Sequence, residues 1–249
     1  MAFGTQISNR NEPDVTATGW LPHGLSIRLL GMADLPAIIE LRRQVIAELD
    51  DPDHYVPEEP AFVQDHIAAC GLTIGIFEAD ELIAYGALGL SGTDHAEMVA
   101  ALKLEPDQFA HLASCMVVSR WRQHGLHNGL IQARIDYGLR LGRRHFGAMV
   151  SPRNEASWSN LMQRGFHLRV IADFPDGRRR YLVHKDVTEN VTFDESTFQL
   201  CESDDIDGQR KLLAAGFRGY QRVRRDGKAL VGFALPSRID RSVPDALQP

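Results

Sequence analysis

The sequence predicts an α+β protein in three layers, α/β/α, with helices flanking a mixed, mostly antiparallel central sheet and a helix-hairpin extension at the C-terminus. Three observations predict it. Apolar runs and helical periodicities follow in the order β-α-α-β-β-β-α-β-α-β-β, unlike the regular alternation of a parallel sheet. The 249 residues, 44% apolar and 24% charged, suffice for one large domain with an appendage. Turn residues stand where hairpins need them, at 78–81, at Pro175-Asp176-Gly177 and at Asp226-Gly227.

Taken in order, residues 1–22 are rich in Asn, Thr, Gly and Pro and read as a flexible tail. Leu25–Leu30 is a strand. Asp34 then caps a helix with Pro36 in its first turn, along which Ile38, Ile39, Leu41, Val45, Ile46 and Leu49 recur at helical spacing. Asp50 to Pro60 is an acidic loop, followed by a helix over about 59–69 that Cys70-Gly71 ends. Leu72–Phe77 and Leu82–Leu90 form a hairpin, and His95–Ala110 reads as a short helix or a long connection. Leu112–Val118 is the next strand, with a turn over Arg120–Gly129 and a helix to about Leu141. His145–Val150, a helix from Asn154 to Arg164-Gly165, and a hairpin of Phe166–Ala172 with Tyr181–His184 complete a unit spanning 23–187.

Residues 188–249 read as an extension: an acidic linker (Glu189, Asp194, Glu195, Glu202, Asp204, Asp205), a helix over Ile206–Ala215 and two short strands. The pattern Leu161-x3-Gly165-Phe166, with Asp176-Gly177 later, recurs as Leu212-x3-Gly216-Phe217 with Asp226-Gly227. One such echo does not establish a repeat, since any helix followed by a hairpin can give it.

Composition narrows the function. No apolar stretch reaches the length of a membrane span, and the N-terminus lacks the layout of a signal peptide. Cys70, Cys115 and Cys201 lie far apart, which argues against a disulfide framework or a zinc knuckle, and the chain is expected in the cytoplasm. The net charge of −6 conceals an asymmetry: 1–119 carry −13, whereas 120–180 hold 12 arginines and carry +8. A basic segment inside an acidic protein suggests a phosphorylated ligand more than a nucleic acid, which calls for a basic domain overall.

The informative stretch runs from Val117 to Leu130. An apolar strand ends, a turn with Arg122, Gln123, His124 and Gly125 follows, and a helix starts at once. That arrangement leaves backbone N–H groups unpaired at the positive end of a helix, a ready site for a diphosphate. Glycine at 125 lets phosphate oxygens approach the backbone. His124 and His127 are three apart, but no third ligand is near, so no metal is expected.

Here the chain resembles the GNAT superfamily of acyl-CoA-dependent N-acetyltransferases. The turn Arg122-Gln123-His124-Gly125-Leu126-His127 matches that family's Arg/Gln-x-x-Gly-x-Gly/Ala signature except at His127. A second element, Asn154-Glu155-Ala156-Ser157, then Leu161, then Gly165-Phe166, stands at the expected distance. The resemblance covers roughly 25–187. It implies that the backbone of Gln123, His124, Gly125, Leu126, His127 and Asn128, with Arg122, holds the CoA diphosphate. It implies that Met116, Val117 and Val118 pair with the pantetheine arm like an added strand, with Asn154 and Ser157 beside the same arm. It also implies an N–H in the Val117 region for the tetrahedral oxyanion.

The resemblance departs at Leu161, where many members carry a tyrosine that protonates the leaving thiolate. It points to His111 as the general base, at the position of a glutamate in histone-type members. Ser114 and Cys115 share that strand. Asp50, Asp51, Asp53, His54, Tyr55, Glu58 and Glu59, in the loop that walls the acceptor site in the family, suggest a cationic acceptor. The expectation is direct transfer of an acetyl or short acyl group from acetyl-CoA to a primary amine. Transfer of a longer acyl chain to an amino-acid-like acceptor is one alternative, and a non-catalytic acyl-CoA sensor or scaffold is another. Neither a nucleic-acid nor a membrane partner is expected, and the extension is suited to covering a neighbour's sheet edge in a homodimer.

Overall fold

The structure, a computed structural model, describes residues 19–51, 54–55, 60–174 and 177–241. Residues 1–18 of the expected tail, the loop residues Asp53, Glu58 and Glu59, and the Pro175-Asp176 turn lie outside them. The elements are β1 (Leu25–Leu29), α1 (Leu35–Ala47), α2 (Pro60–Ala68), β2 (Gly71–Glu78), β3 (Glu81–Gly89), α3 (Thr93–Leu102), β4 (Phe109–Val117), α4 (Leu126–Arg140), β5 (His145–Val150), α5 (Glu155–Gln163), β6 (His167–Asp173), β7 (Arg179–Asp186), β8 (Glu189–Glu202), α6 (Ile206–Ala214), β9 (Arg218–Arg225) and β10 (Lys228–Arg241). All ten strands form one sheet in the order β1-β2-β3-β4-β5-β7-β6-β9-β10-β8. Every neighbouring pair is antiparallel except β4 with β5. Among the described residues, no helix is long and apolar enough to cross a membrane.

The strands in the middle of the sheet read as unbroken apolar runs because both their faces are covered. In β3, Leu82 through Gly89 are all buried. Ile38, Leu41 and Val45 of α1 pack with Ile74, Ile76, Tyr85 and Met116 in one core, and Leu126 and Leu130 of α4 join it. The ambiguous stretch from His95 resolves as α3, whose His95, Met98 and Val99 are buried, and a turn at Pro106–Gln108 leads into β4. At the end of the tail, Trp20 lies over α4. A Cβ on Gly129 would come within 2.0 Å of its ring, so Gly129 makes the space in which Trp20 docks.

The extension corrects the sequence reading. The acidic linker is a 14-residue strand, β8, in which Val191, Phe193, Phe198 and Leu200 are half-buried and Cys201 is buried. Charge density concealed the strand, because Glu189, Asp194, Glu195 and Glu202 fall on both of its faces and break the alternation that marks a half-buried strand. Of the two strands expected to be short, β9 has 8 residues and β10 has 14, and β10 pairs along both β9 and β8.

The faint sequence echo proves to be structural. β8-α6-β9-β10 repeats β5-α5-β6-β7, and the two units meet at a single bridge between β6 and β9, where Leu168 faces Gly219. The correspondences are detailed. Val150 opposes Tyr181 as Cys201 opposes Val231, and Leu168 opposes Val183 as Gly219 opposes Phe233. Each unit skips one residue at the same place, Arg169 in β6 and Tyr220 in β9. Asn154 caps α5 by accepting from Ser157 N–H at 3.0 Å, and Asp205 caps α6 by accepting from Gly208 N–H at 2.9 Å. Both helices end in a left-handed glycine, Gly165 (φ 80°) and Gly216 (φ 89°). Because Leu168 and Gly219 are each other's counterparts, the bridge marks a local two-fold axis. Each helix crosses the axis: Glu155 of α5 binds Arg222 and Arg224 of β9, and Arg210 of α6 binds Asp173 of β6. Trp158, Phe166, Tyr181, Ile206, Val231 and Phe233 share one core beneath the two helices.

Gly219 is the tightest point of this junction, since a Cβ there would sit 2.9 Å from Val231, 3.0 Å from Leu168 and 3.1 Å from Phe233. Gly219→Val should therefore cost about 1–3 kcal/mol by overpacking, read as a lowered urea midpoint. An unchanged midpoint would show that the junction has slack.

Candidate active site

The site begins where two strands part. β4 and β5 pair only from Phe109–His111 to His145–Gly147, although β4 runs on to Val117 and β5 to Val150. A bulge contributes to the parting: in β4, Ala113 and Ser114 together oppose Ala87, between the pairs Leu88–Leu112 and Gly86–Cys115. Between the separated strands opens a cleft of about 840 Å³. Its wall takes in Leu112–Val117 of β4, Ala148–Val150 of β5, the turn before α4 and the first turns of α5. Val118 N–H donates to Ile83 O at 3.0 Å. Alternation along the strand then turns Val117 N–H the other way, toward the open β5 side.

At the cleft's upper end, the turn is held from outside. Arg120 pairs with Glu78 (3.3 Å) and Glu81 (2.8 Å), Trp121 Nε1–H donates to Glu78 (3.1 Å), and Arg122 pairs with Glu48 (3.4 Å). Gln123 (φ 66°) and Gly125 (φ 80°) are both left-handed, and at Gln123 this is a strained conformation for a residue with a Cβ. The first helical bond of α4 runs from Gly129 N–H to Gly125 O. The N–H groups of Leu126, His127 and Asn128 thus have no helical acceptor. No side chain caps α4, and no acidic residue lies in its first turn, whereas α5 and α6 each have a side-chain cap. An uncapped helix end facing a cleft is suited to an anion.

The side chains expected at the site distribute unevenly. Met116, Val117, Arg122, Gln123, Gly125, Leu126, His127, Asn128, Asn154, Ser157 and His111 line the cleft. Val118 is turned into the core. His124 stands outside the cleft wall, packed on Trp121 with its Nδ1 2.9 Å from Arg122 O. His127, the departure from the small-residue pattern, packs toward α5, where Asn160 Nδ2 donates to its Nδ1 at 2.9 Å. Its side chain therefore leaves the backbone of the turn clear. Asn154 spends both ends of its amide inside the protein, capping α5 through Oδ1 and donating from Nδ2 to His54 O at 3.2 Å. Leu161 is buried in the core and also forms part of the cleft wall.

His111 is a weak base in this setting. Burial, reinforced by His66, His95 and Arg134, pushes its pKa down from 6.5 to about 3. Burial likewise takes His127 to about 4. The described part of the acidic loop is internally engaged, with Asp51 pairing Arg153 at 2.8 Å and His54 at 3.8 Å. This weakens the case for a cationic acceptor drawn from that loop.

The structure joins Ser114 and Tyr55, which the sequence reading named separately, and adds groups that it missed. Ser114 Oγ lies 2.9 Å from Tyr85 Oη and 3.4 Å from Tyr55 Oη, a hydroxyl cluster at the bulge. Arg178, Arg180 and, from the extension, Arg222 line the same cleft. Arg134 lies beneath the bulge in the interior. A signal for Arg134 was legible, since it interrupts the apolar face of α4 formed by Leu126, Leu130 and Ala133.

No family model matches the chain, and no curated protein matches it by sequence. Solved structures do resemble it. The ribosomal-protein-S18-alanine N-acetyltransferase of Escherichia coli is 17% identical with a TM-score of 0.50, over 66% of this chain and 94% of its own. A GNAT-family acetyltransferase from Streptococcus pneumoniae gives 16% and 0.50, over 66% and 99%. The yncA protein of Salmonella typhimurium, solved with its cofactor acetyl-CoA, gives 16% and 0.50, over 69% and 98%. The chain has the GNAT fold. At these identities the likeness speaks for the GNAT architecture, and the chemistry must be argued from the cleft.

The buried histidines give stability a pH dependence of definite sign. His111 is neutral when folded and takes a proton at ordinary pH only when unfolded. Its contribution is therefore intact above about 6.5 and is lost as pH falls toward about 3, at roughly 1.4 kcal/mol per pH unit. His127 adds to this down to about 4. Urea midpoints at pH 7, 6 and 5 should fall steadily, and His111→Gln should flatten the decline by about one proton. An equal slope in the variant would mean that His111 is solvated.

Proposed function

We propose that the protein is a GNAT-type acyltransferase that moves an acetyl or related short acyl group from an acyl-CoA to a primary amine. The observation that carries this reading is the joining of two features in one cleft. The uncapped, glycine-led start of α4 and the unpaired edge of β4 open on the same space. The first suits a diphosphate and the second an amide-bearing arm that adds to the sheet edge.

In this reading, the N–H groups at 126–128 hold the phosphates, and the backbone of Val117 pairs with the arm, since the same alternation turns Met116 toward β3. The thioester then rests near the bulge at Ala113-Ser114. Val117 N–H faces the cleft and is the donor offered to the carbonyl oxygen as it takes up charge. Both substrates lie in one slot, so proximity supplies much of the rate. The amine enters unprotonated and gives up its proton to water after attack. His111 stays neutral and does not titrate in the working range. The acyl length and the acceptor follow from the depth of the cleft and from Tyr55, Arg178 and Arg222 around it.

Calorimetric titration with acetyl-CoA, followed by a free-thiol assay against a panel of amines, tests the reading. Binding with thiol release supports it. Binding without release over a broad panel favours an acyl-CoA sensor, the reading that the buried Leu161 and the weakly basic His111 suit. No binding sinks both.

Gly125→Val forces a β-branched residue to φ 80°, although a Cβ there meets nothing within 4 Å. Its effect is therefore on the turn and not on packing. Affinity for acetyl-CoA should fall at least about tenfold, with about 1–2 kcal/mol lost in stability. The pH–rate profile of His111→Gln should keep the wild-type shape between pH 5 and 9, and a vanished acid limb would restore His111 as the base.

A further inference from the structure

Arg134 is 1% exposed and is one of the residues that line the cleft. Its Nε donates to Leu130 O at 3.0 Å, and its Nη1 donates to Ala87 O at 3.1 Å and Ala113 O at 3.3 Å. These bonds leave Nη2 with no protein acceptor among the described residues. Among those residues no carboxylate reaches it either, and the one group that could oppose its charge is the Cys115 thiol. Burial pushes that thiol's pKa up, so it stays protonated. Gly86 keeps the space open, since a Cβ there would come within 3.0 Å of Arg134 Nε. A buried cation without a counter-ion is costly, and mutation usually removes one that serves nothing. This cation stands at the bulge where β4 leaves β5, and its third nitrogen remains unused.

We infer that Arg134 is a fixed counter-charge for the sulfur that leaves in the reaction, a task for which Leu161 offers no proton. The inference rests on the acyl-transfer reading. The amine nitrogen bonds to the thioester carbon, the C–S electron pair departs with sulfur, and the amine's proton goes to water. Arg134 keeps all its protons and stabilises the thiolate through its field. It acts electrostatically, from beneath the bulge.

The test uses CoA itself and does not require turnover. The thiol of bound CoA is titrated by ultraviolet thiolate absorbance, with desulfo-CoA as the blank, in wild type, Arg134→Met and Arg134→Lys. The bound thiol in wild type should ionise with a constant about tenfold or more above that in Arg134→Met, with Arg134→Lys between them. Equal constants in wild type and a folded Arg134→Met that binds CoA would overturn the inference. If Arg134→Met does not fold, Arg134→Gln replaces it, since its amide removes the charge and keeps a donor for the surrounding carbonyls. A bound-thiol constant unchanged in Arg134→Gln would likewise overturn the inference. With an active amine in hand, kcat should fall roughly 100-fold in Arg134→Met while the acetyl-CoA KM moves less than about threefold. A wild type that shows the shifted thiol but releases none with any amine would sink the acyl-transfer reading and leave the Arg134 charge effect standing as a property of the binding site.

Discussion

The parallel strands β4 and β5 exchange hydrogen bonds over three residues and then separate, and the layout of the cleft follows from that separation. A β-edge inside a sheet is ordinarily satisfied by its neighbour. Here the edge beyond His111 faces a cavity, which leaves backbone groups in want of partners at the centre of the molecule. The bulge at Ala113-Ser114 bends β4, and Arg134 gathers the Ala87 and Ala113 carbonyls on either side of it. The strand then feeds directly into the turn, so the open edge and the uncapped helix end are continuous. The charged residues of the turn are neutralised outward, by Glu48, Glu78 and Glu81, which leaves its backbone facing inward.

The duplicated unit explains how the far side of the cleft is kept in place. α5 carries Asn154 and Ser157 to the cleft wall, and Glu155 beside them is clasped by Arg222 and Arg224 of the second unit. The second unit reproduces the caps, the glycine stop and the skipped residue of the first, but it has no counterpart of β4. Its equivalent of β5 is the outer strand β8, paired with β10 alone. It therefore inherits the scaffold without a parting of strands.

Much of this was legible in the sequence, and the reasons for the rest are physical. The turn before α4 was readable because glycine, missing caps and an abrupt strand-to-helix change are local properties. The separation of β4 from β5 could not be read from the residues alone, because it depends on a bulge and on which strands are neighbours. β8 was misread because its acids fall on both faces and interrupt any alternation, so that its strand character comes from its pairing with β10. His111 was placed on its strand correctly, but its protonation depends on His66, His95 and Arg134 arriving from α2, α3 and α4. The repeat gave a true but faint signal: what the two units share is mostly backbone, and glycine, a cap and a phenylalanine are all that backbone imposes on the sequence.

The core shared by the two units also bears on how the chain must emerge during synthesis. The residues of α5, β6 and β7 leave the ribosome first, with Trp158, Phe166 and Tyr181 already committed to one face of the sheet. Part of that face waits for Cys201, Ile206, Val231 and Phe233, which arrive only with the last strands. Until then a nascent chain carries an unfinished apolar surface beside an unpaired strand edge, the combination that favours association with other chains. The final strands therefore close the fold at its most adhesive stage, and a message truncated shortly before them would yield a sticky product.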